Sequence, residues 1–332
     1  MKLIVQIPCL NEEATLAQTL VDIPRDVPGV DRVEVLIIDD GSSDRTVDVA
    51  RQFGADHIVS NHQNLGLARS FSRGIEECLR LGADIIVNTD GNNQYCGADI
   101  AKLVQPIIDR KADIVIGDRQ TRSVDHFSVI KKRLQALGSR LMSIMTGTEM
   151  PDAVSGFRAF SRDAALKMNI VSLFSYTLET LIQAASKKLK IVSVPVGTNA
   201  KTRESRLFTS ISGFISRQLK TFVLIYVMYR PLRVFCIIGF VLALVGAAPI
   251  ARFVYFYASG DGTGHLQSLV LAGVLVIMSF VSFVTGLLAD VVSRNRQLLE
   301  MTLEKVRRIE LTSAAAVPLR PVKAEPRDRR RA

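Results

Sequence analysis

The chain has 332 residues, room for about two domains of ordinary size, and it is 48 % hydrophobic and 22 % charged. That balance excludes a disordered protein, which has too little to bury, and a polytopic transporter, which carries less charge; a soluble domain joined to a membrane segment fits. Residues 1–200 contribute almost nothing to the net charge of +10, with 23 Lys/Arg against 24 Asp/Glu, whereas 201–233 hold 7 against 1 and 291–332 hold 11 against 5. The near-neutral N-terminal part has no nucleic-acid footprint.

The first apolar run (LIVQIP) turns polar at Asn11, too soon for a signal-peptide core, and reads as a strand. VEVLIID, DHIVS, ADIIVNTD and ADIVIGD follow, separated by helix-length amphipathic stretches such as EEATLAQTLVDI and LARSFSRGIEECLRLG. Apolar strands alternating with helical crossovers predict an α/β domain with a parallel sheet buried on both faces. In such sheets ligands bind at the carboxyl ends of the strands. Polar clusters stand there: Asn11 and Glu12 after the first strand, Asp39 to Asp44 after the second, Asp90 to Gln94 after the fourth, Asp118 and Arg119 after the fifth.

Residues 207–229 are apolar with Arg217 and Lys220 interspersed, which predicts helices in the membrane interface or a core helix of the soluble domain. Residues 234–257 and 266–289 each approach the roughly 20 residues that span a bilayer. They predict a two-helix transmembrane hairpin, the alternative being a buried hairpin in a soluble core. The loop between them has no Lys or Arg, while Arg230, Arg233, Arg294 and Arg296 flank the pair. By the positive-inside rule both termini and the N-terminal domain are cytoplasmic, at the inner membrane. Residues 291–311 read as a cytoplasmic helix, and the Pro-, Ala- and Arg-rich stretch 312–332 as a disordered basic tail. Cys9, Cys78, Cys96 and Cys236 show neither CxxC pairing nor the density of a secreted domain, which implies a reducing compartment.

Asp44, at the head of SSDRTVDVA, reads as a helix cap. Asp39, Asp40 and Asp90 on one rim would repel one another without a cation or a ligand's donors among them. In Asp90-Gly91-Asn92-Asn93-Gln94 the alternate positions 90, 92 and 94 put oxygens on one side of an extended segment. Such hard oxygens suit Mg²⁺ or Mn²⁺ sharing its shell with substrate phosphates.

PCLNEEATL, VLIIDDGSSDRT, NLGLARSFSRGI, NTDGNNQY and DAVSGFRAFSR, in that order over residues 1–210, resemble family 2 glycosyltransferases of the GT-A type. Within the family they resemble the polyprenyl-phosphate branch, whose bacterial members also carry C-terminal membrane spans. The resemblance implies a GT-A domain at 1–206, with a Rossmann-like, mostly parallel sheet, followed by interfacial helices at 207–232 and the membrane pair at 233–290. It also implies a nucleotide-sugar donor and a polyprenyl phosphate acceptor, with inversion at the sugar, and a homo-oligomer, a tetramer by likeness.

Position by position, the resemblance implies that Pro8, Glu12 and Asp40, with Gly91, line the nucleotide pocket. Asp90, Asn92 and Gln94 match a metal motif that usually reads Asp-x-Asp followed by Gln; here the second acid is Asn92, so the site loses a charge. Asp152 resembles the active-site carboxylate, or is a turn former after Pro151. Arg119 resembles the phosphate-contacting arginine. Arg203, Ser205 and Arg206 resemble a loop that closes over the donor, or are a solvated basic loop. Lys131, Lys132, Arg133 and Arg140 form a charged helix face or receive an anionic lipid head. Glu179 also resembles a family position, or is a solvated acid. The competing functions are a transferase with another lipid or glycan acceptor and a non-catalytic nucleotide-binding scaffold.

Overall fold

A computed structural model of the chain describes residues 1–120, 143, 151–171, 176–199, 223–224, 226–260 and 266–316. The five expected strands form: β1 (Lys2–Cys9), β2 (Arg32–Asp39), β3 (His57–Ser60), β4 (Ile85–Asn88) and β5 (Ile114–Asp118). Two more, β6 (Arg158–Ser161) and β7 (Ile191–Pro195), complete a seven-stranded sheet in the order β3-β2-β1-β4-β6-β5-β7. β6 runs antiparallel between β4 and β5, and every other pairing is parallel.

The period of two along each strand sorts its side chains onto two cores. Ile4, Leu36, Ile38, Ile86 and Phe160 meet Phe71 of α3 (Leu67–Arg80) on one face, with α6 (Tyr176–Ser186) packed beside it. Leu3, Val5, Ile37 and Val87 meet Leu16 of α1 (Leu16–Asp22) and Leu103 of α4 (Ile100–Ile108) on the other. Helices α2 (Thr46–Gln52) and α5 (Arg162–Lys167) complete the layers. Asp44 does serve the start of α2, accepting from the Thr46 amide at 3.0 Å, although it stands two residues before the helix.

The apolar block forms α7 (Pro231–Ala258) and α8 (Leu266–Ala316), packed antiparallel through small residues. Gly239 lies against Phe283, Gly246 against Leu275 and Gly286 against Phe235, and Ser279 donates to the Gly239 carbonyl at 2.7 Å. Phe240, Ile277, Phe280 and Leu287 are at least 60 % exposed on the outer faces, an apolar surface long enough for a membrane to cover. A hairpin buried in a soluble core would hide these side chains.

α8 is longer than expected. The stretch 291–311 continues the second apolar helix without a break, and 312–316 are helical too, within the segment expected as a disordered tail. No Gly or Pro interrupts 287–316, and the i,i+4 pairs Asp290–Arg294, Arg296–Glu300 and Glu304–Arg308 carry the helix on. About 20 of its 51 residues suffice to cross a bilayer, so more than half extends beyond.

That extension lies along the α/β domain, and its contacts define the domain's orientation. Arg296 meets Glu179 and Tyr229; Glu300 meets Lys187 at 2.9 Å. Further along, Arg307 donates to the Met168 carbonyl and pairs with Glu76, and Arg308 pairs with Asp163, each at 2.9 Å. Asp163 lies by the amino end of β4, because Ser161 pairs with Ile85. Glu179 lies near the carboxyl end, because Tyr176, one turn before it, bonds Asn88. The carboxyl ends of the strands therefore point toward the apolar part of α8.

Candidate active site

The rim begins at β1. After Cys9 the chain passes through Asn11, held at a φ of 54°, whose amide donates to Ser42 Oγ at 2.9 Å and whose Oδ1 accepts from the Ser43 amide at 2.8 Å. The β1 and β2 loops are thereby stitched together. Glu12 is buried, with its amide on Thr46 Oγ1 at 2.8 Å and its Oε2 accepting from Thr15 Oγ1 at 3.0 Å. Thr15 and Thr19 both donate to the Gly91 carbonyl, at 3.0 and 3.2 Å. A Cβ on Gly91 would lie 2.9 Å from Cys9 Sγ and 3.4 Å from Glu12 Cγ, so only glycine lets the β4 loop close on β1. Glu12 and Gly91 thus meet, as their shared assignment requires.

Asp39 and Asp40 each take donors from the protein itself, where a cation or a ligand's donor groups were expected among them and Asp90. Asp39 Oδ1 accepts from the Ser42 amide at 2.9 Å. Asp40 accepts from Asn61 Nδ2 at 2.8 Å and from the Leu65 and Gly66 amides at 2.9 Å, which fastens the loop leading into α3. Amide donors neutralise these buried carboxylates instead.

The segment 90–94 is a turn, not the extended strand that alternation required. Asn93 takes a φ of 53°, and Asn92 Oδ1 accepts from the Gln94 amide at 3.1 Å. Asx turns of this kind are what Asn does after a strand. Asn199, just after β7, donates to the carbonyls of Asn93 and Tyr95 at 3.1 and 3.2 Å and pins the turn from outside. Asp90 is half-buried over Gly156: a Cβ there would meet Asp90 Oδ1 at 3.2 Å and the Tyr176 hydroxyl at 3.0 Å.

Arg119, at the end of β5, meets Asp152 in a two-pronged ion pair, Nε to Oδ2 at 2.7 Å and Nη2 to Oδ1 at 3.0 Å. Burial opposes the guanidinium's charge, but Tyr95 and the carboxylates of Asp152 and Asp90 hold its pKa above the ordinary value. Asp152 is therefore more than a turn former.

Arg158, Tyr95 and Tyr176 had no assigned role, although the first two stand in motifs that carry the resemblance. Arg158 is wholly buried, and its partners among the described residues are neutral oxygens: the carbonyls of Ser155, Thr177 and Ala153 at 2.7–2.8 Å and Thr180 Oγ1 at 2.6 Å. Burial pulls its pKa down to about 10. It ties the Asp152–Gly156 loop to α6. The Tyr176 hydroxyl accepts from Asn88 Nδ2 at 2.9 Å, its ring stacked on Phe71 with centroids 3.8 Å apart. The Tyr95 hydroxyl accepts from the Gly156 amide at 3.1 Å. Burial raises both phenols, which keeps them neutral hydrogen-bond partners.

Glu179 is not a solvated acid. It is fully buried on α6, accepting from the Val171 amide at 3.2 Å with Arg296 at 3.9 Å. Lys131, Lys132, Arg133, Arg140, Arg203, Ser205 and Arg206 lie outside the described residues.

Pro8, Glu12, Asp40, Gly91, Asp90, Asn92, Gln94, Arg119 and Asp152 all fall on the one rim or the loops above it. Among the described residues no three His, Cys, Asp or Glu side chains could hold a metal ion. The residues expected to hold one are a single acid, Asp90, and the amides Asn92 and Gln94, which the turn at 90–94 no longer aligns along one side. That fits Mg²⁺ or Mn²⁺ completing its shell from phosphates rather than from a protein cage.

Residues 4–168 match the family model described as Glycosyl transferase family 2. The UDP-N-acetylglucosamine–dolichyl-phosphate N-acetylglucosaminyltransferase of Methanococcus voltae is 29 % identical over 214 residues, covering 58 % of this chain and 83 % of that one. The undecaprenyl-phosphate mannosyltransferase of Micrococcus luteus is 26 % identical over 224 residues, covering 64 % and 90 %. Glucosyl-3-phosphoglycerate synthase of Mycobacterium tuberculosis, solved with Mn²⁺ and UDP-glucose, shares the fold with a TM-score of 0.51 and 24 % identity, over 67 % of this chain and 78 % of that one.

Proposed function

Because this chain belongs to glycosyl transferase family 2, we propose that it moves a sugar from a UDP- or GDP-linked donor to polyprenyl phosphate at the cytoplasmic membrane face, with inversion at the anomeric carbon. One juxtaposition carries the reading: the rim that holds Asp90 and the Arg119–Asp152 pair faces the apolar part of α8. A lipid whose prenyl chain lies in the bilayer would present its phosphate on that side. The names of the relatives in Methanococcus voltae and Micrococcus luteus support the same acceptor class.

Pro8, Glu12, Asp40 and Gly91 line the nucleoside end of the donor. Asp90, with Asn92 and Gln94, would hold Mg²⁺ or Mn²⁺, which when bound neutralises charge on the leaving diphosphate. Arg119 has five N–H donors, and those not engaged by Asp152 can reach phosphate oxygens. Arg133 and Arg140 are assigned to the acceptor phosphate, and Arg203, Ser205 and Arg206 to a segment over the donor.

The acceptor sets the chemistry. A phosphate monoester has a second pKa near ~6 and is largely dianionic at neutral pH. Its oxygen attacks the anomeric carbon, one C–O bond forms, and the bond to the nucleoside diphosphate breaks with the electron pair leaving on that group. No strong general base is required, so the residues position the reactants and stabilise charge.

The test is a transfer assay on the purified full chain with undecaprenyl phosphate, Mg²⁺ or Mn²⁺ and a panel of UDP- and GDP-sugars, read by mass spectrometry. A lipid product that releases its sugar in mild acid, lost in Asp90→Ala, supports the reading. Sugar nucleotide bound with no transfer would favour the non-catalytic scaffold, and an acid-stable product another acceptor.

A further inference from the structure

Glu179 is wholly buried, and a buried carboxylate needs a compensating charge or several donors. Its donors include the Val171 amide at 3.2 Å and Gln183 Nε2 at 3.3 Å, and the Arg296 guanidinium lies 3.9 Å away. Arg296 belongs to α8, just beyond the apolar stretch, and other contacts define its place. Its Nη2 donates to the Tyr229 hydroxyl at 2.9 Å, its guanidinium lies over the Tyr229 ring at 4.7 Å, and its Nε pairs with Glu300 at 3.0 Å. Glu300 in turn takes Lys187 at 2.9 Å, from the end of α6.

α6 is thereby clamped to the membrane helix at both ends, and its first turn is built into the candidate active site. Tyr176, one turn before Glu179, bonds Asn88 at 2.9 Å and lies 3.0 Å from a Cβ placed on Gly156, which would itself be 3.2 Å from Asp90 Oδ1. Arg158 bonds both the Thr177 carbonyl and the loop that carries Asp152. The chain of contact runs from Arg296 to Glu179, along one turn of α6 to Tyr176, and on to Gly156, which lies beside Asp90, and to the loop that carries Asp152.

We propose that Arg296 is a positioning residue for sugar transfer: by pairing with Glu179 it sets where α6 sits and so where Tyr176 and Arg158 hold Asp90 and the Asp152–Gly156 loop. This rests on the transferase reading above. The membrane helix is then part of the framework of the site as well as its tether. Close packing transmits such a shift because a packed interior does not deform smoothly.

The experiment compares wild type, Arg296→Met, Arg296→Lys and the double variant Glu179→Gln/Arg296→Met, each as the full chain in detergent. Transfer is measured with undecaprenyl phosphate in vesicles and with a short, water-soluble prenyl phosphate. Arg296→Met is expected to lower kcat about tenfold with both acceptors while the donor KM changes little. Arg296→Lys returns part of the loss, and the double variant stays about as slow as Arg296→Met, because the pair that places α6 is missing from both. A loss confined to the vesicle-borne acceptor would overturn the proposal, since it would make Arg296 a tether only. So would a kcat equal to wild type in Arg296→Met, or a double variant restored to the wild-type kcat, which would lay the loss on burying Glu179 without Arg296 and not on where α6 sits. If wild type itself transfers nothing, the transferase reading fails and this inference with it.

Discussion

Arg119 and Asp152, 33 residues apart, form a fork-on-fork pair in which the carboxylate is fully buried and the guanidinium is 14 % exposed. One comes from the end of β5 and the other from the loop before β6, the single antiparallel strand of the sheet. Placing β6 between β4 and β5 brings its leading loop over the rim. On the transferase reading, the pair would hold a cation near Asp90 before any substrate arrives, so little reorganisation would be needed when charge develops.

Arg119→Met should abolish transfer and destabilise the domain by about 3–5 kcal/mol, because a buried carboxylate loses its partner. Arg119→Lys should retain more stability yet transfer poorly, since an ammonium cannot reproduce the two parallel bonds. Urea titration in detergent and the transfer assay read the two effects apart. A stable Arg119→Met would show that Asp152 finds other donors.

Asp90→Ala should remove transfer while leaving the melting temperature close to wild type, because Asp90 is half-buried and the turn around it is held by Asn92 and Asn199. Activity near the wild-type level would exclude Asp90 from the site.

Asn92→Asp should keep the turn, because a carboxylate can accept the Gln94 amide as the Asn92 oxygen does at 3.1 Å. The added charge should tighten Mn²⁺, read directly by electron paramagnetic resonance of the free ion. Weaker binding than wild type would mean that position 92 faces away from the metal.

Gly156→Ala would set a methyl group 3.0 Å from the Tyr176 hydroxyl and 3.2 Å from Asp90 Oδ1. Tyr176 cannot retreat, being stacked on Phe71, so Asp90 must shift. Overpacking of this kind costs about 1–3 kcal/mol, and transfer should fall further than that loss of folded protein explains. Equal activity per folded molecule would contradict the placement of Asp90.

Glu34 on β2 is buried among Lys2 at 2.8 Å, Arg32 at 2.7 Å and His57 at 2.8 Å. Burial pushes its carboxyl up, but bonds to Lys2 and His57 and the charges of Lys2 and Arg32 leave it below the ordinary 4.5. Its stabilising contribution is therefore complete above pH 4.5 and is lost as pH falls through the lower folded value. Glu34→Gln should flatten that part of the stability profile, read as urea midpoints from pH 6 down to about 3. An unchanged acid slope would place the loss elsewhere.

The first five strands and the two apolar C-terminal helices were legible in the chain because their signals are local. A run of β-branched residues ending in Asp39-Asp40 or Thr89-Asp90 states both the strand and its carboxyl end, and two apolar stretches near 20 residues state two helices. The residues of the rim were legible too, since polar side chains just after buried strands have few other places to go.

What the tertiary structure decided are the pairings. β6 reads RAFS, with no apolar run, and is a strand only because β4 and β5 leave their edges open to it. Asp40 looked like a carboxylate in need of a cation or a ligand's donors, and the backbone amides of Leu65 and Gly66, in the loop before α3, bond it. Residues 90–94 looked extended until Asn199, more than a hundred positions on, closed them as a turn. Glu179 read as a family position or a solvated acid, and its burial against Arg296 of α8 is visible only in the fold. Periodicity and composition report how a residue meets solvent and its near neighbours; a hydrogen bond or ion pair across the fold depends on where two distant segments come to rest, which no local pattern carries.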